Sequence, residues 1–326
     1  MPNTRREIMS LALAALAGTI PRAALARVAT PATATPGVTA DPALAARFFD
    51  ATFNNAGTGS ADLLTSDFVF HLDADTYAGP NLFGSFVTGF RTAFPDLHIA
   101  VQTAFAQGEL VASRFTFRGT QAEPFQGIPA THRAALGVAG HAILRVADTR
   151  IAEVHAIVDR VNLLQQLGIF SGGAGPAAAG PASPPRGAPP TGDTEAVARR
   201  FYEAFGKGDT KTLQHVVASS FIDHGAPPGT SPGWDKDNYT HWRTTFPDAH
   251  HTVLQFVAST DLLMARTSMQ VTQRGDYAGI PPTGKTVSFV IDDLWRVQNE
   301  QLTELWSVGD YAGLIDQLQS PATPAS

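Results

Sequence analysis

Ala93-Phe94-Pro95-Asp96 returns as Thr245-Phe246-Pro247-Asp248, at the same place in a second copy of the pattern that surrounds it. Five further blocks recur in the same order, and the offset between copies falls only from 153 to 151 residues. A period of this length matches a whole small domain and is too long for a solenoid unit. The recurring blocks are 48–51 with 201–204, 67–71 with 220–224, 127–129 with 279–281, 144–146 with 295–297, and 158–159 with 309–310. The chain is therefore predicted to be a tandem duplication.

The first 26 residues have the pattern of an export signal. Arg5 and Arg6 precede an apolar run over 8–20, and Ala24-Leu25-Ala26 follows it. Twin arginine, a short apolar run and A-x-A, in that order, are typical of a Tat signal cleaved near Ala26. The alternative, an amphipathic helix, would need a polar face that this run lacks. We expect an exported protein, periplasmic or extracellular.

Composition and charge exclude several classes of function. At 326 residues and 44% hydrophobic, the chain has room for two cores, and no segment after the signal is apolar for long enough to span a membrane. Removing residues 1–26 takes away three arginines and one glutamate, which leaves 20 basic and 28 acidic residues. This acidic balance argues against nucleic acid as a partner. The absence of cysteine excludes disulfides, thiolate metal sites and a cysteine nucleophile.

Segments rich in alanine, proline and glycine set the predicted domain bounds. Residues 27–40 are predicted to be disordered, 171–192 to form a linker, and 320–326 to form a tail. The two domains then cover 41–170 and 193–319. Each copy opens with helical spacing of apolar residues, and its C-terminal half alternates as strands separated by short turns. Helices followed by an antiparallel meander predict an α+β fold, with the helices covering one face of a curved sheet.

The repeated blocks resemble the SnoaL-like polyketide cyclase family. The blocks that carry the resemblance are F-Y-E-A-F at 201–205, a strand ending in His224, F-P-D at 246–248, G-I-P-P-T-G-K at 279–285, L-W-R-V at 294–297 and E-x-W-x-x-x-D at 304–310. The first copy departs more, with Thr131-His132-Arg133 in place of Thr-Gly-Lys and His155 in place of Trp306. The resemblance implies two tandem cone-shaped domains of the nuclear-transport-factor-2-like fold, paired as a covalent pseudo-dimer, each enclosing an apolar pocket.

The resemblance assigns the general acid/base to Asp159 and Asp310. Both end an apolar strand, and a carboxylate at the mouth of an apolar pocket should have a raised pKa suited to proton transfer. The alternative is a helix N-cap, because a helical pattern follows each aspartate.

Three histidines and two arginines are further candidates. His71 and His224 recur on a strand and either polarise a substrate carbonyl or are satisfied by a buried group. His141 lies on the strand neighbouring Asp159, while the second copy has Asp292 and Asp293 there, of which strand alternation lets only one face a cavity. The matching pair Arg114 and Arg266 either anchors an oxyanion of the substrate or forms salt bridges.

Aromatic residues either line the pocket or fill the core. Phe48, Tyr202, Trp242 and Trp306 are the substrate-binding candidates among them. A metal site is not expected, because the second copy keeps too few of the histidines and no H-x-x-x-H spacing occurs.

The resemblance thus implies a cofactor-independent enzyme in which an aspartate removes a proton flanked by carbonyls and the enolate closes a ring. The expected partner is a small hydrophobic molecule. Export argues against a true polyketide substrate, since polyketides are assembled in the cytoplasm. Two alternatives remain open: a hydrolase or isomerase on the same fold, and a non-catalytic module that binds a hydrophobic small molecule.

Overall fold

The computed structural model describes residues 40–55, 60, 62–170, 193–225 and 236–321. The predicted signal and linker lie outside the described residues, as do almost all of the predicted disordered segment and most of the tail. No helix in the described part of the chain is long and apolar enough to cross a membrane.

The first domain is a helix-covered sheet. Helix α1 (Ala43–Phe49) continues into a π-helical turn (Asp50–Asn54). The remaining elements are β1 (Leu64–Leu72), β2 (Asp75–Ala78), α2 (Pro80–Ala93), β3 (His98–Gln107), β4 (Leu110–Thr120), β5 (Ala134–Ala147), β6 (Arg150–Val158) and α3 (Arg160–Gln166). The strand order is β2-β1-β6-β5-β4-β3. Every neighbouring pair is antiparallel except β1 and β6.

The second domain repeats this arrangement. Its elements are α4 (Thr194–Lys207), α5 (Thr210–Val216), β7 (Val217–Asp223), α6 (Lys236–Thr245), β8 (His250–Ala258), β9 (Leu262–Thr272), β10 (Thr286–Gln298), β11 (Gln301–Gly309) and α7 (Tyr311–Gln319). The order is β7-β11-β10-β9-β8, again with one parallel pair, β7 and β11. The predicted α+β fold in two copies is confirmed. The two strands of each parallel pair are distant in sequence, as parallel pairing requires, because a short hairpin can join only antiparallel strands.

Strand alternation gives each sheet two different faces. On the helix face, side chains such as Phe115, Ala142 and Val154 pack with Phe48 of α1 in the main core of the first domain. Ile143, which follows Ala142 on β5, lies on the opposite face of the sheet, which we call the interface face. There it packs in a cluster that joins both domains: Phe105, Ala112, Ile143, Val257, Met264, Leu294 and Trp306. The two sheets therefore pair within one chain through their interface faces.

Candidate functional site

The first domain contains an aromatic cavity between its helices and the helix face of its sheet. It has about 800 Å³ of empty space when the solvent at its mouth is included. The aromatic residues of the wall are Phe49, Phe53, Phe70, Phe86, Phe90, Phe115, Phe117 and Phe125. Such walls suit a small apolar molecule, whose orientation then depends on the few polar groups at the rim.

Asp73 is the most unusual of those polar groups. It lies in the turn after β1 at a φ of 52°, and its backbone N–H donates to the carbonyl of Ala156 at 3.1 Å. Its side chain is only 2% exposed, and Arg160 Nη1 lies 3.5 Å from its Oδ2. Burial, and after it the charge of Asp310, raise the pKa of Asp73 to about 7, although Arg160 opposes the shift. A carboxyl group in an apolar cavity that changes charge near neutral pH can both take and return a proton.

Two other polar residues lie beside Asp73. Burial raises the pKa of Asp75, which also lines the cavity. Burial likewise raises the pKa of Tyr77 to about 12, so its hydroxyl stays protonated, and Gln126 Nε2 donates to that hydroxyl at 3.4 Å. Sequence reasoning missed all three, because it followed residues that recur in both copies. The available signal was a pair of carboxylates directly after an apolar strand, at 73 and 75.

Asp159 and Asp310 are helix N-caps in the structure. The Asp159 carboxylate accepts from the backbone N–H of Asn162 at 2.9 Å, and Asp310 accepts from that of Gly313 at 2.8 Å. Both are buried, and burial raises the pKa of Asp159 to about 6. The capping alternative therefore describes their geometry, while their acid/base role stays a prediction.

His71 and His224 lie on the interface face, away from the aromatic cavity. Each donates its Nε2–H to a glutamate carboxylate on the parallel neighbour strand: His71 Nε2 is 3.1 Å from Glu153 Oε1, and His224 Nε2 is 2.8 Å from Glu304 Oε2. The His71 ring also stacks on His155, and the His224 ring stacks on Trp306, with 4.3 Å between ring centroids in each pair. The recurring histidine thus bonds the first strand of each domain to the last.

His71, Glu153 and His155 place three potential metal-ligand atoms within 4.8 Å of one another. The Nε2 atoms of both histidines already lie close to the same carboxylate oxygen, Glu153 Oε1, at 3.1 and 3.3 Å. Arg145 also donates to Glu153 at 3.1 Å, which supplies a positive charge already. The arrangement fits a hydrogen-bonded pair of strands better than a metal site.

His141 and the two predicted arginines are buried between the domains. His141 Nδ1 lies 3.0 Å from the carbonyl oxygen of Asp292, and burial together with the charge of Arg114 lowers the pKa of His141 to about 3. Burial also lowers the pKa of Arg114. Arg266 binds both oxygens of Asp292, at 3.0 and 2.9 Å. Of the two roles predicted for Arg266, the structure therefore shows the salt bridge.

The remaining predicted residues are distributed over both domains and the interface between them. Phe48 stacks on Phe83 in the first core. Trp242 packs against Phe246 at 4.6 Å, and Trp306 lies in the cluster between the domains. Tyr202 is buried in the second core and donates its hydroxyl to Asp293 at 2.7 Å. The structure does not bring these four residues together at one site.

Comparison with known proteins gives the family. Both segments 43–167 and 196–318 match the model described as SnoaL-like polyketide cyclase. Similar solved structures include TsrD from Streptomyces laurentii (23% identity, 39% of this chain, 95% of that chain, TM-score 0.36). Wild-type IdmH from Streptomyces antibioticus is also similar (27% identity, 39% of this chain, 98% of that chain, TM-score 0.35). So is a SnoaL-like polyketide cyclase from Agrobacterium tumefaciens (19% identity, 38% of this chain, 96% of that chain, TM-score 0.34). None of the curated proteins matches the chain. The chain belongs to the SnoaL-like polyketide cyclase family and carries two copies of its domain.

Proposed function

We propose that the protein is a cofactor-independent acid/base enzyme of the cyclase type, which acts on a small apolar carbonyl compound in the aromatic cavity of the first domain. The observation that carries the proposal is the buried carboxyl group of Asp73 in the cavity wall, with a pKa of about 7. A base with this pKa is stronger than an exposed aspartate and is still largely ionised just above neutral pH.

The proton transfer needs only groups of this chain. Asp73 takes a proton from a carbon flanked by carbonyls, and the electron pair of that C–H bond becomes the enolate. The Arg160 guanidinium, 3.5 Å from the carboxylate, lies close enough to share its positive charge with the enolate oxygen. The enolate carbon then attacks a second carbonyl of the same molecule, and the protonated Asp73 gives its proton to the alkoxide that forms. The aromatic walls hold the substrate folded and keep water away.

The site of action in the cell is a further part of this proposal. The Arg5-Arg6 pair, the apolar run after it and Ala24-Leu25-Ala26 support export through the Tat pathway. A substrate available outside the cytoplasm follows from that signal. The second candidate function, a non-catalytic carrier of an apolar molecule, is supported by the capping geometry of Asp159 and Asp310.

Deuterium exchange tests the proposal before the natural substrate is known. We expect the mature protein, with both domains present, to accelerate exchange at the carbon between the carbonyls of benzoylacetone, as followed by NMR in heavy water. Because only the ionised Asp73 accepts a proton, the rate should rise with pH through about 7 and level off above it. Acceleration no greater than that of an equal concentration of acetate would contradict the enzyme and favour the carrier.

A further inference from the structure

The second domain contains a buried polar cluster on the helix face of its sheet. Asp293 of β10 accepts a hydrogen bond from the Tyr202 hydroxyl at 2.7 Å, and Trp295 Nε1 donates to the same hydroxyl oxygen at 2.9 Å. All three side chains are at most 5% exposed. The tyrosine is thus held from both sides and fixes the orientation of the carboxylate.

Asp293 is separate from the ion pair between the domains. Asp292, one residue earlier on the same strand, lies on the interface face and is bound by Arg266 through two hydrogen bonds. The hydrogen bonds of Asp293 come instead from neutral groups, Tyr202 and the Ser307 side chain. Burial of this carboxylate is therefore not offset by a paired cation, which is costly for the folded state.

His251 extends the cluster on the same face. Its ring centroid lies 4.9 Å from that of Tyr202 and 5.2 Å from that of Phe205. Its Nδ1 is hydrogen-bonded to Thr267 Oγ1 at 2.9 Å, whereas its Nε2 has no partner among the described residues. Burial lowers the pKa of His251 to about 3, so the ring is neutral and its Nε2 can bond a polar group of a ligand.

The first domain shows that the fold does not require these polar groups. Asp293 faces Ala265 and Ser307 across the ladder, and the matching position, Ala142, faces Ser113 and Ala156. The other counterparts, given by the repeat offsets, are Phe49 for Tyr202, Leu144 for Trp295, Ile99 for His251 and Phe115 for Thr267. Because buried polar groups cost stability and the same sheet forms without them, a purely structural role does not account for the cluster.

We propose that Asp293, Tyr202 and His251 form a second binding site, which takes a small aromatic molecule carrying a hydroxyl group. The Asp293 carboxylate accepts the hydrogen of the ligand hydroxyl, and the His251 Nε2 bonds a second polar atom. Carboxylate and phosphate ligands are repelled by Asp293, whose charge has no paired cation. The two domains then take different ligands: the first an apolar carbonyl compound, the second a phenol-like one.

Tryptophan fluorescence of the full chain reports binding in the second domain, because all four tryptophans, Trp234, Trp242, Trp295 and Trp306, lie in the second copy and Trp295 belongs to the cluster. The probe is 4-methylphenol, and toluene is the matched control that lacks only the hydroxyl. A hydrogen bond to a charged group contributes about 1.5–3 kcal/mol. We therefore expect 4-methylphenol to bind at least about tenfold more tightly than toluene.

The double variant Tyr202→Phe/Asp293→Ala installs the residues that the first copy carries at these positions. We expect it to lose the preference for 4-methylphenol and to keep or raise the melting temperature. Asp293→Asn preserves the shape of the site and should weaken binding of 4-methylphenol in the same direction, whereas Asp73→Asn in the other domain should leave it unchanged.

Three results would overturn this second site: no preference for 4-methylphenol in the wild type, an undiminished preference in both site variants, or a melting temperature lowered by several degrees in Asp293→Asn with binding unchanged. The outcome is independent of the exchange activity proposed for the first domain, because that activity is measured with benzoylacetone and depends on Asp73.

Discussion

Asp73→Asn is expected to lower the rate of benzoylacetone exchange by on the order of a hundred- to ten-thousand-fold, the usual contribution of a positioned general base. Asparagine keeps the size of the side chain and its ability to accept from the Val158 N–H at 3.4 Å, but it cannot take up a proton. The rate should also lose its rise near pH 7. NMR of the exchanging carbon over a pH series measures both effects.

Three matched variants make this result specific. Asp75→Asn removes another carboxyl group from the same cavity and should lower the rate less than Asp73→Asn. Asp159→Ser and Asp310→Ser test the acid/base role predicted from sequence, because serine caps a helix as well as aspartate but exchanges no proton at this pH. A large loss in either serine variant with a nearly normal Asp73→Asn would contradict our assignment and support Asp159 or Asp310 instead.

Asp292→Ala is expected to destabilise the protein by about 3–5 kcal/mol. Arg266 is 6% exposed and gives both hydrogen bonds of one guanidinium nitrogen to Asp292, so the substitution leaves a buried charge without its counter-ion. The contact between His141 and the backbone carbonyl of Asp292 remains in the variant. Urea unfolding, followed by circular dichroism, measures the change in the free energy of unfolding.

Glu203→Ala is the control for that experiment. Glu203 also pairs with a cation, Lys207, at 3.5 Å, but both side chains are more than two thirds exposed. Exposed pairs contribute about 0–1 kcal/mol, so this variant should unfold close to the wild type. Equal effects of the two substitutions would show that the interface between the domains does not depend on the buried pair.

The fold could be predicted from sequence because its evidence is repeated. Helical and strand periods occur twice in the same order. A pattern that arises by chance in one copy can therefore be recognised, because the other copy does not repeat it. Alternation along β10 also predicted that only one of Asp292 and Asp293 faces the interior, and the structure shows Asp293 on that side. The signal segment and the linker lie outside the described residues, so their assignments stay predictions.

The site was harder to predict for two physical reasons. Recurrence selects residues that both copies need, and those include structural contacts such as His71 with Glu153, which join strands and do not face the cavity. Asp73, in contrast, has no acidic counterpart: the matching position is Ala226. Its importance arises from burial by side chains distant in sequence and from Arg160, neither of which spacing alone reveals.

The pKa of the Asp73 carboxyl group is the most direct test of the proposed enzyme. It can be followed by carbon-13 NMR of aspartate carboxyl signals across a pH titration, with the Asp73→Asn spectrum identifying the signal. We expect a midpoint of about 7 in the wild type. A midpoint of about 4, the value of an exposed aspartate, would contradict it, because such a group is too weak a base for the proposed proton transfer.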